Sequence, residues 1–377
     1  MEYKKLGDIA TYINGYAFKP EQRGSEGLPI IRIQDLTGNA YDLGYYNGDY
    51  PKKVELNDGD VLISWSASLG VYLWNRGKAL LNQHIFKVVF DKVEIDKFYF
   101  MYAVEYNLDK MSLKTHGATM KHITKKDFDN VVIPYPDLDY QKEVAYRLTS
   151  LKGIIEKYQK QLDLLDELVK ARFVEVFGDP NIEFKYSSVK FNDLVVRMTK
   201  GPFGSDMKKD LFVPKGEDTY KVYIQINAIQ KNQSLGEYYI SKEYFDRKVS
   251  RFELFPNDYI ITCDGTLGKY LKLDENMEKG VISPSLLRLT LQNDKINDKY
   301  FENIWDFYML GLMKKEARNA CLVHLPSAKK IGEISIPVPP LELQNQFASF
   351  VEEIDKSRLH EHLSIEYIKL LLKDYYP

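Results

Sequence analysis

The chain writes the same short text twice, and this duplication limits its fold more than any single motif. "IPYPDLDYQKEVA" (133–145) returns as "IPVPPLELQNQFA" (336–348), an offset of 203 residues. "LNDGDVLISWSASLGVY" (56–72) lies without gaps over "LFPNDYIITCDGTLGKY" (254–270) at 198. "IIRIQDL" (30–36) matches "YIQINAI" (223–229) at 193, and "KKLGDIA" (4–10) matches "VKFNDLV" (189–195) at 185. One such similarity would be unremarkable. Four in the same order, with offsets that grow along the chain, describe an internal duplication with insertions in the second copy.

Each copy reads alike. Period-2 runs such as "DVLIS", "IFKVVF", "DYIIT" and "LLRLTL", broken by Gly, Asn and Asp, predict a β-rich domain. A helical segment follows ("KFYFMYAVEYNL", "KYFENIWDFYMLGLM"), then a proline turn, then a long helix. In the first long helix Leu148, Leu151, Ile155, Tyr158, Leu162, Leu165 and Val169 alternate steps of three and four, the seam of a coiled coil, and "FGDP" (177–180) supplies a Gly-then-Pro stop. The second repeats the spacing with Phe347, Val351, Ile354, Ile365, Ile368 and Leu372, interrupted by Arg358 and Glu361. So narrow a stripe suits one helical partner, whereas two ordinary amphipathic helices would each pack on their own domain.

Pro134, Pro136, Pro337, Pro339 and Pro340 restrict the residues before them to extended backbone and cannot extend a ladder, so the sheet must end where each helix begins. Gln141 and Gln344, in the first helical turns, either tie the helix start to the preceding loop or are solvated. The boundaries that follow are 1–137 and 181–340 for the β-rich domains, and 138–180 and 341–377 for the helices.

Composition narrows the function classes. Hydrophobic residues make up 44% and charged residues 28%, globular values, and no apolar run is long enough for a membrane helix. The opening "MEYKKLGDIATYINGYAF" lacks a signal-peptide pattern, so a cytoplasmic address is expected. Two cysteines, Cys263 and Cys321, rule out a disulfide framework and a four-Cys zinc site. A net charge of −2 gives no global attraction to nucleic acid, so any basic surface must be assembled locally by folding.

A globular domain, a long helix, a second globular domain and a second long helix, each helix entered through "IPxPxLxxQ", resemble the specificity subunit of type I restriction-modification systems. The resemblance spans essentially the whole chain. It rests on "VVIPYPDLDYQKEVA", "ISIPVPPLELQNQFA", the "GDVLIS" and "NDYIIT" strand-turns, "ALLNQHIFKV" and "ARFVEVFGDP". One departure is Asp137, which stands where the second copy has Pro340. The resemblance implies an α+β fold: two tandem target-recognition domains joined by two antiparallel helices that form a coiled-coil spacer. Each domain would read one half of a bipartite double-stranded DNA target. Two methyltransferase subunits using S-adenosylmethionine would dock on the scaffold, with two ATP- and magnesium-dependent restriction subunits as a further option. This chain itself would hold no cofactor or metal and perform no catalysis. The alternatives are an interaction scaffold for something other than DNA, and a β-rich enzyme with an unrecognised site.

Candidate DNA-reading residues sit in turns that occupy matching places in both copies: Lys19 in "NGYAFK" against Lys200 and Ser205 in "KGPFGS", Arg32 and Gln34 in "RIQD" against Gln225 and Asn227 in "QIN", and Ser64 and Ser66 in "SWSAS" against Asp264 in "TCDGT". Arg, Gln and Asn read guanine and adenine edges, and Gly permits close approach to a phosphate. Lys114, His116, Thr119 and Lys121, and in the second copy Arg318 and His324, lie just before the proline joints. Read blandly, these are β-turns and solvated loops. Neither an Asn/Asp-Pro-Pro-aromatic methyltransferase motif nor a Walker loop is present; "GTLGK" is too short. Pro136–Asp137 and "EFK" (183–185) echo a nuclease pattern but are separated by a long helix. The histidines are too scattered for a metal site.

Overall fold

The computed structural model describes residues 2–39, 42–114, 123–231, 236–319 and 324–375, with backbone alone at 109–114, 316–319 and 373–375. The chain divides into two compact units, Met1–Lys160 with Glu361–Pro377, and Gln161–His360. Each therefore holds one β-rich domain, part of the helix Leu138–Phe177 and part of the helix Leu341–Tyr375.

Within the first unit, Thr11–Asn14, Ile85–Val89, Val61–Ser64 and Gly70–Leu73 form an antiparallel sheet in that order. A second sheet orders Gly44–Tyr46, Leu28–Ile31, Ala79–Leu81 and Glu55–Leu56, its middle pair parallel. The second unit repeats both. One sheet is Val195–Lys200, Leu286–Leu291, Tyr259–Thr262 and Tyr270–Lys272; the other is Tyr238–Ser241, Thr219–Tyr223, Gly280–Ile282 and Glu253–Leu254, again with a parallel middle pair. The turns Gly204–Asp206 and Lys209–Leu211 lie in the stretch over which the offset between copies grows.

The strand Val61–Ser64 is apolar at consecutive positions because both of its faces are covered. Val61 and Ile63 join Leu6, Tyr12, Phe86, Phe100 and Phe128, whereas Leu62 joins Ile31, Leu56, Trp74 and Leu81. Tyr259 and Ile261 likewise face one core while Ile260 faces the other. The short helices Lys125–Asp129 and Ala328–Gly332 are capped by Thr124 and Ser327, whose hydroxyls accept from the backbone N–H of Asp127 and Lys330.

Inside each unit the long helices pack against each other. In the first, Val144, Ala145 and Leu148 cluster with Tyr99 and Leu372. In the second, Val169, Phe173 and Phe177 share a core with Phe347 and Val351. Asp166 pairs with Arg358, while the rings of Phe177 and Phe347 lie 5.3 Å apart. Advancing along one helix means retreating along the other, so the pair is antiparallel. Leu162, Ile365 and Ile368 are buried, and Leu151, Ile155, Tyr158, Leu165 and Ile354 are half-buried. The first helix stops where Gly178 takes a positive φ of 83° and its N–H returns to the Val174 carbonyl.

The proline joints are built alike. Tyr3–Lys5 pairs antiparallel with Val132–Pro134, and Ser188–Lys190 with Ser335–Pro337. Gln141 and Gln344 are both buried. Each donates its amide to a joint carbonyl, Pro136 or Pro339, at 2.8 Å, and each accepts the backbone N–H that opens the domain's own helical segment, Asp96 at 2.9 Å or Asn297 at 2.8 Å. Tyr99 and Tyr300 add matching bonds to the carbonyls of Pro134 and Pro337. Of the two readings of the glutamines, the tie is the one the fold uses. Asp137 caps its helix by accepting from the Tyr140 N–H, which accounts for a carboxylate where the second copy has Pro340.

Candidate nucleic-acid interface

Residues from four separate stretches of the second unit meet at one end of its β-domain. The Asp264 carboxylate lies 2.5 Å from Nδ1 of His324, and the two residues form a β-bridge. A carboxylate can only accept, so Nδ1 donates, and this fixes the ring's orientation and leaves Nε2 for another partner. Beside them Leu325 donates its N–H to Cys263 at 2.8 Å and accepts Lys200 Nζ at 3.3 Å. Gly265, at a φ of +66°, turns next to the amide of Gln225. Lys200, Gln225, Asp264 and His324 thus converge although 124 residues separate the outermost two.

The equivalent frame exists in the first unit: Ile123 donates to the Trp65 carbonyl at 3.0 Å, as Leu325 does to Cys263. Ser66 is half-buried in that turn, and Lys19 and Gln34 are exposed. His116, Thr119 and Lys121 lie outside the described residues, and of Lys114 and Arg318 only the helical backbone is described.

Several candidates are committed internally. Arg32 forms a bidentate pair with the buried Asp35, donates to the Asp42 carbonyl, and has its pKa raised further by the bond to Asp35. It braces its loop instead of standing free for a base edge. The Ser64 hydroxyl is fully buried and donates to the Ser68 carbonyl; Thr262 does the same to Thr266. Asn227 is half-buried and donates to the Gly236 carbonyl. Ser205 is exposed.

The glycines also have a local reason. A Cβ on Gly15 would sit 1.9 Å from the Asn82 carbonyl oxygen, and one on Gly201 would sit 2.0 Å from that of Ser283. These turns are pressed against their own chain, whatever else approaches them.

Two features escaped sequence reasoning. His84 adopts a positive φ of 72° with its ring edge-on to Trp65, 5.0 Å between centroids. A histidine in left-handed backbone leaves no periodicity signal, and only its place in "LNQHI" marks it. Lys87 and Arg288, at matching positions, bond inward to the carbonyls of Glu55 and Glu253, although charged residues in strands ordinarily read as outward-facing. The Cys263 thiol is pushed up to about 12 by burial and stays protonated near neutral pH. Among the described residues no group of His, Cys, Asp and Glu is placed to hold a metal ion, and no helix is long and apolar enough to cross a membrane.

Sheet pair, glutamine-tied joint and long helix occur twice, and the chain is a duplicated two-domain α+β protein. A family model described as the type I restriction modification DNA specificity domain matches residues 1–165 and 204–367. The chain belongs to that family. It is 23% identical to the type I restriction enzyme EcoBI specificity subunit of Escherichia coli over 93% of this chain and 78% of that one. To the MjaVIII specificity subunit of Methanocaldococcus jannaschii it is 22% identical, over 94% and 86%. In fold it resembles the S subunit of a type I system from M. genitalium, with a TM-score of 0.55 at 14% identity, covering all of this chain and 96% of that one.

Proposed function

We propose that this chain is the DNA-specificity subunit of a type I restriction-modification complex. Each β-rich domain reads one half of a bipartite duplex target, and the antiparallel helices set the unread gap, much as half-site spacing follows the geometry of paired readers. Base-edge contacts of about 1–3 kcal/mol each, summed over two halves, supply discrimination beyond the reach of one small domain. The chain contributes recognition and no catalysis. Two methyltransferase subunits dock on the helices and bring S-adenosylmethionine, and two restriction subunits, where present, bring ATP and magnesium. The complex works in the cytoplasm. Partner subunits provide much of the phosphate affinity that a net charge of −2 does not.

The observation that carries this reading is the repetition of a whole device: reader domain, buried-glutamine joint and helix, twice in one chain. The test is to express the chain with its methyltransferase subunits and map methylated adenines on random-sequence DNA. Two short conserved blocks at a constant separation are expected; methylation without a bipartite sequence would refute it.

A further inference from the structure

Among the described residues, one loop of the second β-domain differs from its counterpart in the first. In the loop "KGPFGS", Phe203 is 76% exposed although its neighbours are fixed: Pro202 is buried, Gly201 donates to the Leu286 carbonyl at 2.8 Å, and Phe203's own carbonyl accepts from Asp206 at 2.8 Å. The ring stands at the lip of a groove of about 550 Å³ whose floor includes Phe252 and Pro284. Cations lie beside the groove and close to it along the chain. Lys200 and Arg251 line the groove, Lys208 and Lys209 follow on the next turn, and none of the four has an ion-pair partner among the described residues, while Asp206 is offset by Lys248. In the matching loop of the first domain, where Gly15 takes the place of Gly201, Ala17 stands where Phe203 does; Phe18 is 4% exposed and packs edge-on against Tyr46 and against Tyr16, which is itself 36% exposed.

A single exposed phenylalanine is ordinary on a protein surface. One held on a fixed loop, over an apolar floor and beside Lys200 and Arg251, which have no carboxylate partner among the described residues, matches the chemistry of a DNA step: phosphates outside, flat apolar base faces within. Resting on the DNA-reading function above, we propose that Phe203 is an apolar wedge that enters the duplex at the second half-site and partly unstacks one base step. Lys200 and Arg251 at the groove, with Lys208 and Lys209 further along the chain, hold the flanking phosphates. Apolar wedges of this kind unstack and kink DNA in exchange for additional contact. The first half-site is read without such insertion, so the two halves of the target differ in how far the DNA is deformed.

The test uses the chain assembled with its methyltransferase subunits, without S-adenosylmethionine, on cognate duplexes carrying 2-aminopurine in turn at each position of both half-sites other than the methylated adenines. Wild type is expected to raise fluorescence at one step of the second half-site and at none of the first. Phe203→Ala should abolish that signal and weaken cognate binding about tenfold, within the range for losing one aromatic–base stack. Phe203→Trp should restore both. Circular dichroism and unchanged discrimination at the first half-site establish that the variants are folded. If wild type discriminates both half-sites while Phe203→Ala changes neither fluorescence nor affinity, the wedge is refuted and the reading function stands. If wild type shows no sequence preference, both fall.

Discussion

The side-chain oxygen of Gln344 accepts the backbone N–H of Asn297 at 2.8 Å. This one bond joins the start of a long helix to the start of the helical segment inside the β-domain, and Gln141 repeats it on Asp96. Gln344→Leu keeps the volume but strands the Asn297 N–H and the Pro339 carbonyl, each costing about 1–3 kcal/mol when buried unpaired. Urea unfolding of the second unit should show a loss of roughly 2–6 kcal/mol, and Gln141→Leu a similar loss in the first. An unchanged midpoint in both variants would mean that water substitutes at the joint.

The aromatic cluster makes a larger prediction. Phe177 meets Phe173 at 5.0 Å, Tyr300 at 4.9 Å and Phe347 at 5.3 Å, tying both helices to the β-domain at once. Phe177→Ala should cost about 3–5 kcal/mol by thermal or chemical denaturation.

Two glycines should respond in opposite directions. Gly201→Ala drives a Cβ into the Ser283 carbonyl, so it should destabilise by about 1–3 kcal/mol and displace the loop that carries Phe203. Gly153, inside the helix Leu138–Phe177, has nothing within 4 Å of where a methyl group would stand, and Gly153→Ala should stabilise by about 0.5–1 kcal/mol. Melting temperatures of the pair read both signs in one experiment.

An ionic tie supplies a pH dependence. Asp355 bonds Lys299 at 2.9 Å and Arg358 at 2.8 Å. Burial works against its carboxylate, yet Lys299 and Arg358 outweigh it and hold the pKa below the ordinary 3.8. A depressed carboxylate pKa stabilises the fold above the unfolded value, and that contribution disappears as pH falls through the folded one. Wild type should therefore melt above Asp355→Asn at pH 7, with the gap closing well below pH 3.8. Because Asp355 is about a third exposed, added salt should narrow the gap as well.

The duplication, the two helices and the proline joints were legible because each leaves a periodic or repeated trace: the a/d seam from Leu148 to Val169, and Pro-x-Pro before Gln. The site was legible only as positions. Sequence identifies Lys200, Gln225, Asp264 and His324 as polar turn residues, but their meeting depends on sheet register over more than a hundred residues, which no local pattern encodes. For the same reason Arg32 and Ser64 read as available when they are not. An arginine three residues before an aspartate looks identical in sequence whether the pair forms or the guanidinium is free, and a serine ending a strand faces in or out by one step of the pleat.

On the proposed function, two equivalent readers, held by equivalent joints, each decide one half of the target. Replacing residues 1–137 with the first β-domain of another family member, keeping "IPYPDLDYQKEVA" at the join, and mapping methylated sites in the assembled complex tests it most directly. One half-site should change while the other half-site and the gap between them stay the same. A change in both halves, or in the gap, would contradict it.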